Sequence, residues 1–362
     1  MKKILCFIDS LGAGGAQRQL VGLACFLKER GYDVTVACYH DNRFFADQLL
    51  SIGVTYQYLE KAKKTTFRLW HIARYFRKLK PDVVIAYQAT PSICACVAKL
   101  FNHSFKLIVS ERSTTQRTGI NEKIRFRLFQ LADYVVPNSY SQESYIKTTF
   151  PKLASKTITI PNFVDLEYFV PPLERHRREV PEIMIAASVW PSKNTLGFID
   201  AVAQLRQKGY IFHVSWYGIE YGDYPEHLKY VNQSQNKIDQ YEIGQYITLK
   251  EKTKQIKDCY QKSDFFCLPS FYEGTPNVIC EAIACGLPVA CSDVCDNSKY
   301  VIGGENGFLF DPKDTDSVVS AFERLFALRD ESYELFCRRS RLLAEQKLSK
   351  EQFVDTYMNL IK

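Results

Sequence analysis

Twelve short apolar runs alternate with helix-length segments along this chain, in two sets of six, and that alternation limits the folds open to it. In the first half, residues 3–9, 33–39, 54–58, 82–86, 105–110 and 134–137 read as strands. They are separated by helical segments at 16–30, 43–52, 66–79, 91–101, 121–132 and 140–149. The second half repeats the plan, with strands at 183–189, 212–216, 247–249, 265–268, 288–291 and 307–310. Strands apolar throughout are covered on both faces, and strands joined through helices are parallel. The expected class is α/β, with two doubly wound parallel-sheet (Rossmann-like) domains facing across a cleft. Ligands of such sheets sit at the carboxyl ends of the strands.

At 362 residues the chain suits two domains. Pro161, Pro171 and Pro172 with the charged run Glu174 to Glu179 read as a linker, which puts the boundary near residue 170. Expected domains are therefore 1–170 and 171–345, with a C-terminal helix at 346–362 returning to the first domain. No run approaches the ~18 to 20 apolar residues of a membrane span, and Asp9 follows the start too soon for a secretory signal, so a cytoplasmic protein is expected. The twelve cysteines contain no CxxC and the six histidines are dispersed; neither a disulfide framework nor a metal site is expected.

Charge is unevenly divided. Residues 1–165 hold 24 Lys and Arg against 12 Asp and Glu, a net of +12, whereas the remainder holds 23 against 28, a net of −5. The excess gathers at Lys61, Lys63, Lys64, Arg68, Arg74, Arg77, Lys78 and Lys80, interleaved with Phe67, Leu69, Trp70, Ile72, Tyr75 and Phe76. Cations mixed with aromatics on a helix suit either an ordinary solvated face or an anionic membrane surface. No nucleic-acid recognition motif accompanies them.

The densest chemistry lies at 269–289, Pro-Ser-Phe-Tyr-Glu-Gly-Thr-Pro-Asn-Val-Ile-Cys-Glu-Ala-Ile-Ala-Cys-Gly-Leu-Pro-Val. Thr275 as N-cap, Pro276 at the first helical position and Gly286 as terminator define a short helix. Its opening N–H groups and the nearby Gly274 suit a diphosphate. Glu273 before the helix and Glu281 within it flank that place, as acceptors for hydroxyls at the two ends of a sugar nucleotide.

This segment resembles the nucleotide-sugar half of the family 4 retaining glycosyltransferases, which have the GT-B fold and carry a Glu, seven residues, then Glu. Leu11 to Arg18 is similar to the family's glycine loop, with Gly14 and Gly15 on the donor side. Residues 160–165 are similar to its interdomain crossover, and 304–309 to the turn after the donor site. The resemblance implies that Glu273 meets the transferred sugar, Glu281 the ribose, and Gly274, Thr275, Pro276 and Asn277 the diphosphate. It implies a nucleoside-diphosphate sugar as donor, a glycan or lipid-linked glycan as acceptor, retention of configuration, and no cofactor.

Lys193, after the first strand of the second domain, is placed to neutralise a departing diphosphate. The family usually adds an Arg five residues earlier; here that position is Ser188. Glu111 and Arg112 leave a strand at the expected cleft edge, where the family makes acceptor contacts, although a structural ion pair fits them equally. Asp314-Thr315-Asp316 imitates a metal-binding D-x-D but opens a helix, where capping explains it. A metal-independent hexosyltransferase is the expected enzyme, in surface polysaccharide or lipopolysaccharide assembly at the inner face of the membrane. The alternatives are a GT-B sugar-nucleotide epimerase and a non-catalytic glycan-binding scaffold, the latter motivated by Ser188.

Overall fold

The computed structural model describes residues 1–101, 104–112, 119–220 and 225–362. Two compact units divide the chain: Met1–Phe163 with Lys350–Lys362, and Val164–Ser349.

The first unit runs β1 (Lys3–Phe7), α1 (Gly15–Glu29), β2 (Asp33–Cys38), α2 (Ala46–Ser51), β3 (Thr55–Tyr58), α3 (Arg68–Leu79), β4 (Val83–Tyr87), α4 (Ala89–Phe101), β5 (Lys106–Glu111), α5 (Ile120–Phe129), β6 (Tyr134–Pro137) and α6 (Tyr140–Thr149). Its strands form one parallel sheet in the order β3-β2-β1-β4-β5-β6. Alternate residues of β1 explain the two layers: Ile4 and Cys6 pack on the side of α1 and α2, Leu5 and Phe7 on the side of α3 and α4.

The second unit runs β7 (Glu182–Ala186), α7 (Thr195–Gln207), β8 (His213–Ile219), α8 (Pro225–Gln240), β9 (Ile247–Glu251), α9 (Ile256–Gln261), β10 (Phe265–Leu268), α10 (Asn277–Ala284), β11 (Val289–Ser292), β12 (Gly307–Phe310), α11 (Thr315–Phe326) and α12 (Asp330–Lys347). Its parallel sheet has the order β12-β11-β10-β7-β8-β9. The last helix, α13 (Lys350–Ile361), belongs to the first unit, where Phe353, Tyr357 and Ile361 join the core beside α1.

Three local differences from the sequence reading have physical causes. The units divide at Phe163/Val164 and at Ser349/Lys350, against the expected residues 170 and 345. The charged run after Pro172 is fastened to the second unit instead of forming a linker. Arg175 donates to the carbonyls of Ser263 and Cys285, and Arg177 to those of Phe326 and Leu328, so both neutralise orphan carbonyls at helix ends. Thr275 is not the cap of α10: Pro276 has φ −78° and ψ 74°, which is not helical, so the helix begins at Asn277. Gly286 does end it in the left-handed region, φ +74°, with its N–H on the Ile283 carbonyl.

The segment at 160–165 is held by complementary contacts. Gln19 on α1 donates to the Phe163 carbonyl at 2.8 Å and accepts from its N–H at 3.1 Å, so one side-chain amide satisfies both backbone polar groups of that residue. The Phe163 ring lies over Gly22, where a Cβ would approach its Cζ to 2.4 Å, and packs against Phe353 with ring centroids 5.0 Å apart.

Candidate functional site

In the second sheet the strand order reverses between β7 and β10, and the chain leaving each of these neighbours carries a candidate catalytic group. Such a switch point is where doubly wound sheets form ligand sites. After β7, the turn Pro191–Lys193 presents Lys193; after β10, the loop before α10 presents Glu273. Lys193 Nζ donates to Glu273 Oε1 at 2.6 Å, and Ser270 Oγ donates to the same oxygen at 2.6 Å. The side chains are 25% and 13% exposed, which makes this a charge-assisted contact at a half-buried edge. The two loops are also joined through their backbones, the Phe271 N–H donating to the Ser192 carbonyl at 3.0 Å. Asn194, in the left-handed region at φ 57°, fixes the start of α7 by donating to the Pro312 carbonyl at 2.7 Å.

Gly274, Thr275 and Pro276 connect Glu273 to α10, where the Asn277 N–H donates to the Thr275 carbonyl at 2.9 Å and the Cys280 N–H to the Pro276 carbonyl at 3.0 Å. Glu281 lies one turn into α10 and is buried, 6% exposed. Tyr260 Oη, from α9, donates to Glu281 Oε2 at 3.1 Å. The sequence identified both carboxylates but not Tyr260, because a tyrosine 21 residues away has no local signature.

Ser188, where the resemblance leads one to expect an arginine, borders a depression of about 690 Å³ that Trp190, Ser192, Lys193, Glu226 and His227 also line. Lys193 is thus the cation on this wall. Asp314 caps α11 by accepting from the Asp316 N–H at 3.0 Å, and Asp316 accepts from Gln204. Both carboxylates of the D-x-D imitation are engaged in helix support.

The first sheet reverses between β1 and β4, and there too the strand ends converge. The glycine loop follows β1, with Gly14 as the extended N-cap of α1 and Gly15 as its first residue. A Cβ on Gly14 would meet Gln17 Oε1 at 2.2 Å, and Gln17 Nε2 reaches Asp9 at 3.4 Å. Gln88, at the end of β4, has φ 73°, an uncommon conformation for a glutamine. With its amide oriented to satisfy both partners, it donates to the Asp9 carboxylate at 2.8 and 3.0 Å. Asp9 and Gln88 are candidate residues that sequence reasoning did not single out; their signal was a position at strand ends.

Glu111 and Arg112 do not pair with each other. Glu111 is 1% exposed and faces Arg125 of α5 at 3.4 Å. Arg112 donates to Asn162 Oδ1 and to Tyr357 Oη, both at 2.8 Å, and lies 4.1 Å from the Tyr87 ring centroid. Its guanidinium ties β5 to α13, so its charge serves the packing of its own unit. The rest of that expected acceptor loop, from Ser113 to Thr115, lies outside the described residues.

Two such sheets with these strand-end sites define the GT-B architecture. Solved structures share it: Anabaena HepE in complex with UDP and glucose superposes with a TM-score of 0.82 at 17% identity, covering 99% of each chain. The sequence model described as Glycosyltransferase Family 4 matches residues 13–168, and that described as Glycosyl transferases group 1 matches 180–327, so the chain belongs to the family 4, group 1 glycosyltransferases. The amylovoran biosynthesis glycosyltransferase AmsD of Erwinia amylovora is 23% identical, over 90% of this chain and 91% of that one. A Campylobacter jejuni α-1,4-N-acetyl-D-galactosaminyltransferase, named for a diphospho-undecaprenol-linked glycan acceptor, is 25% identical over 92% and 90%.

Proposed function

We propose that the chain is a retaining, metal-independent glycosyltransferase that moves a hexosyl group from a nucleoside-diphosphate sugar to a hydroxyl of a lipid-linked glycan, in surface polysaccharide assembly at the cytoplasmic face of a membrane. The observation that carries this reading is the Lys193–Glu273 contact at the β7/β10 switch point, directly ahead of α10. Lys193 and the opening amides of α10, near Gly274 to Asn277, take the diphosphate, and the buried Glu281 accepts from the ribose hydroxyls. Lys193 and Ser270 both donate to Glu273 Oε1, which supports reading Oε2 as the acceptor for a hydroxyl of the transferred sugar.

In the reaction the bond from the anomeric carbon to the leaving phosphate oxygen breaks. The acceptor oxygen forms its bond on the same face and gives its proton to that phosphate oxygen. Charge builds on the diphosphate, and Lys193 with the helix amides is oriented for it beforehand, the role a divalent ion plays elsewhere. Asp9, oriented by Gln17 and Gln88, is the group on the first unit for an acceptor hydroxyl. The names of AmsD and of the C. jejuni enzyme support the polysaccharide and lipid-linked parts of this reading.

Incubation with single nucleotide sugars tests the class. Slow release of free sugar and nucleoside diphosphate is expected, accelerated by a lipid-linked acceptor and unaffected by EDTA. An isomeric nucleotide sugar as sole product would establish an epimerase instead.

A further inference from the structure

The helix layer of α3, α4 and α5 carries an apolar surface that the transferase reading does not use. Trp70 on α3 is 58% exposed and Phe101 on α4 is 65% exposed, with Leu69, Leu100, Ile120 and Ile124 also open to solvent. Between α3 and α4 runs a groove of about 650 Å³ lined by Leu69, Trp70, Ala73, Val97 and Phe101. Arg74, Arg77 and Lys78 form its rim, with the Arg74 guanidinium 5.6 Å from the Trp70 ring centroid. Residues 61–80 contain eight Lys and Arg and no Asp or Glu. Of the eight, Arg68 is committed internally, donating to the Ala62 and Lys63 carbonyls and lying over Tyr39.

We infer that this groove is a docking site for an anionic phospholipid bilayer, with Trp70 and Phe101 among the acyl chains and Arg74, Arg77 and Lys78 on the phosphates. Charge complementarity names the occupant: a contiguous cationic rim attracts an anionic leaflet, and an indole beside a guanidinium suits the boundary between headgroups and hydrocarbon. Single-stranded nucleic acid would share the cations, but it stacks on aromatic faces and gains nothing from Leu69, Leu100, Ile120 and Ile124. Among the described residues no helix is long and apolar enough to cross a membrane, so attachment here is by adsorption of a surface. The inference extends the lipid-linked acceptor reading by naming the face that meets the lipid.

The test is flotation of the full chain with vesicles of phosphatidylcholine, alone or mixed with phosphatidylglycerol, with no donor or acceptor present. Binding is expected only to the mixed vesicles, weakened by salt, with Trp70 emission quenched by brominated acyl chains. Arg74→Glu with Arg77→Glu should lower the affinity about tenfold or more. Trp70→Ser with Phe101→Ser should abolish the part that survives high salt. These surface variants should melt like the parent chain. No flotation of the parent chain, equal flotation of the variants, or tighter binding of a single-stranded oligonucleotide through the same residues would overturn the inference. Nucleotide binding measured on the same samples separates the two readings: vesicle binding lost with nucleotide binding kept overturns this inference alone, and the reverse overturns the transferase reading alone.

Discussion

Glu281 shows how a single side chain combines burial and chemistry. A carboxylate in an apolar helix is costly without donors, and Tyr260 supplies one at 3.1 Å. Removing it by Tyr260→Phe should raise the dissociation constant for the nucleotide about tenfold, the worth of one hydrogen bond to a charged group, and should also lower the melting temperature, because a buried carboxylate loses a donor; equal affinity would exclude Tyr260 from orienting Glu281. Lys193→Ala and Glu273→Gln should each lower kcat about 100-fold or more, since the pair acts where charge develops. Gln88→Gly should relieve the positive φ and raise thermal stability while lowering acceptor-dependent turnover, a pairing of effects that mere structural strain does not give. Glu273, Glu281 and Lys193 could be singled out as candidates from the sequence because strand ends and a helix start surround them within a few residues. The contacts of Arg112 had no local signature, because its partners, Asn162 and Tyr357, lie 50 and 245 residues away.

At the scale of elements, strands were the most legible because burial on both faces demands unbroken apolar runs, and β6, β10 and β12 have the bounds their sequences suggest. Helix starts were less so, since α10 begins after a non-helical Pro276 that composition alone reads as the first helical residue. Gly218 in β8 exposes a constraint between neighbouring strands: a Cβ there would lie 1.8 Å from the Ala187 carbonyl oxygen. Gly218→Ala should therefore part β7 from β8 and lower stability by about 2–3 kcal/mol or more, read by thermal or urea denaturation.

The same two strands hold an acid-sensitive group. Burial alone would raise the pKa of Glu182, but hydrogen bonds from His213 and Ser215, aided by the charges of His213 and Lys250, hold it below the usual carboxylate value. A depressed folded pKa gives stability that is present above the unfolded value, about 4.3, and is lost as pH falls through the folded one. Glu182→Gln should flatten that acid limb of the stability profile; an unchanged limb would show that other carboxylates govern it. No sequence pattern announced this cluster, since Glu182 and His213 are 31 residues apart.

Over the whole molecule, the C-terminal helix completes the first unit after the chain has built the second. Phe353, Val354, Tyr357, Leu360 and Ile361 are buried there, and Lys2 and Lys106 donate to the carbonyls of Ile361 and Leu360 at the end where the helix dipole is negative. At about 1.5–3 kcal/mol for each buried side chain, five of them rival the ~5–15 kcal/mol that keeps a domain folded. Truncation after Ser349 should thus unfold the first unit while the second keeps its cooperative melting; a first unit that still melts cooperatively would contradict this. The division of charge was readable from composition and the return of a C-terminal helix to the first unit was expected from the sequence, whereas its start at Lys350 was set by packing against residues hundreds of positions away. The central claim is a metal-free nucleotide-sugar site built from Lys193, Glu273, Glu281 and the start of α10. Its most direct test is thermal denaturation with UDP, GDP, ADP and their common sugars, with and without EDTA, on the parent chain and Glu281→Ala. The account predicts stabilisation by one nucleotide class, indifferent to the chelator and abolished in the variant. Stabilisation that EDTA removes, or that Glu281→Ala leaves intact, would contradict it.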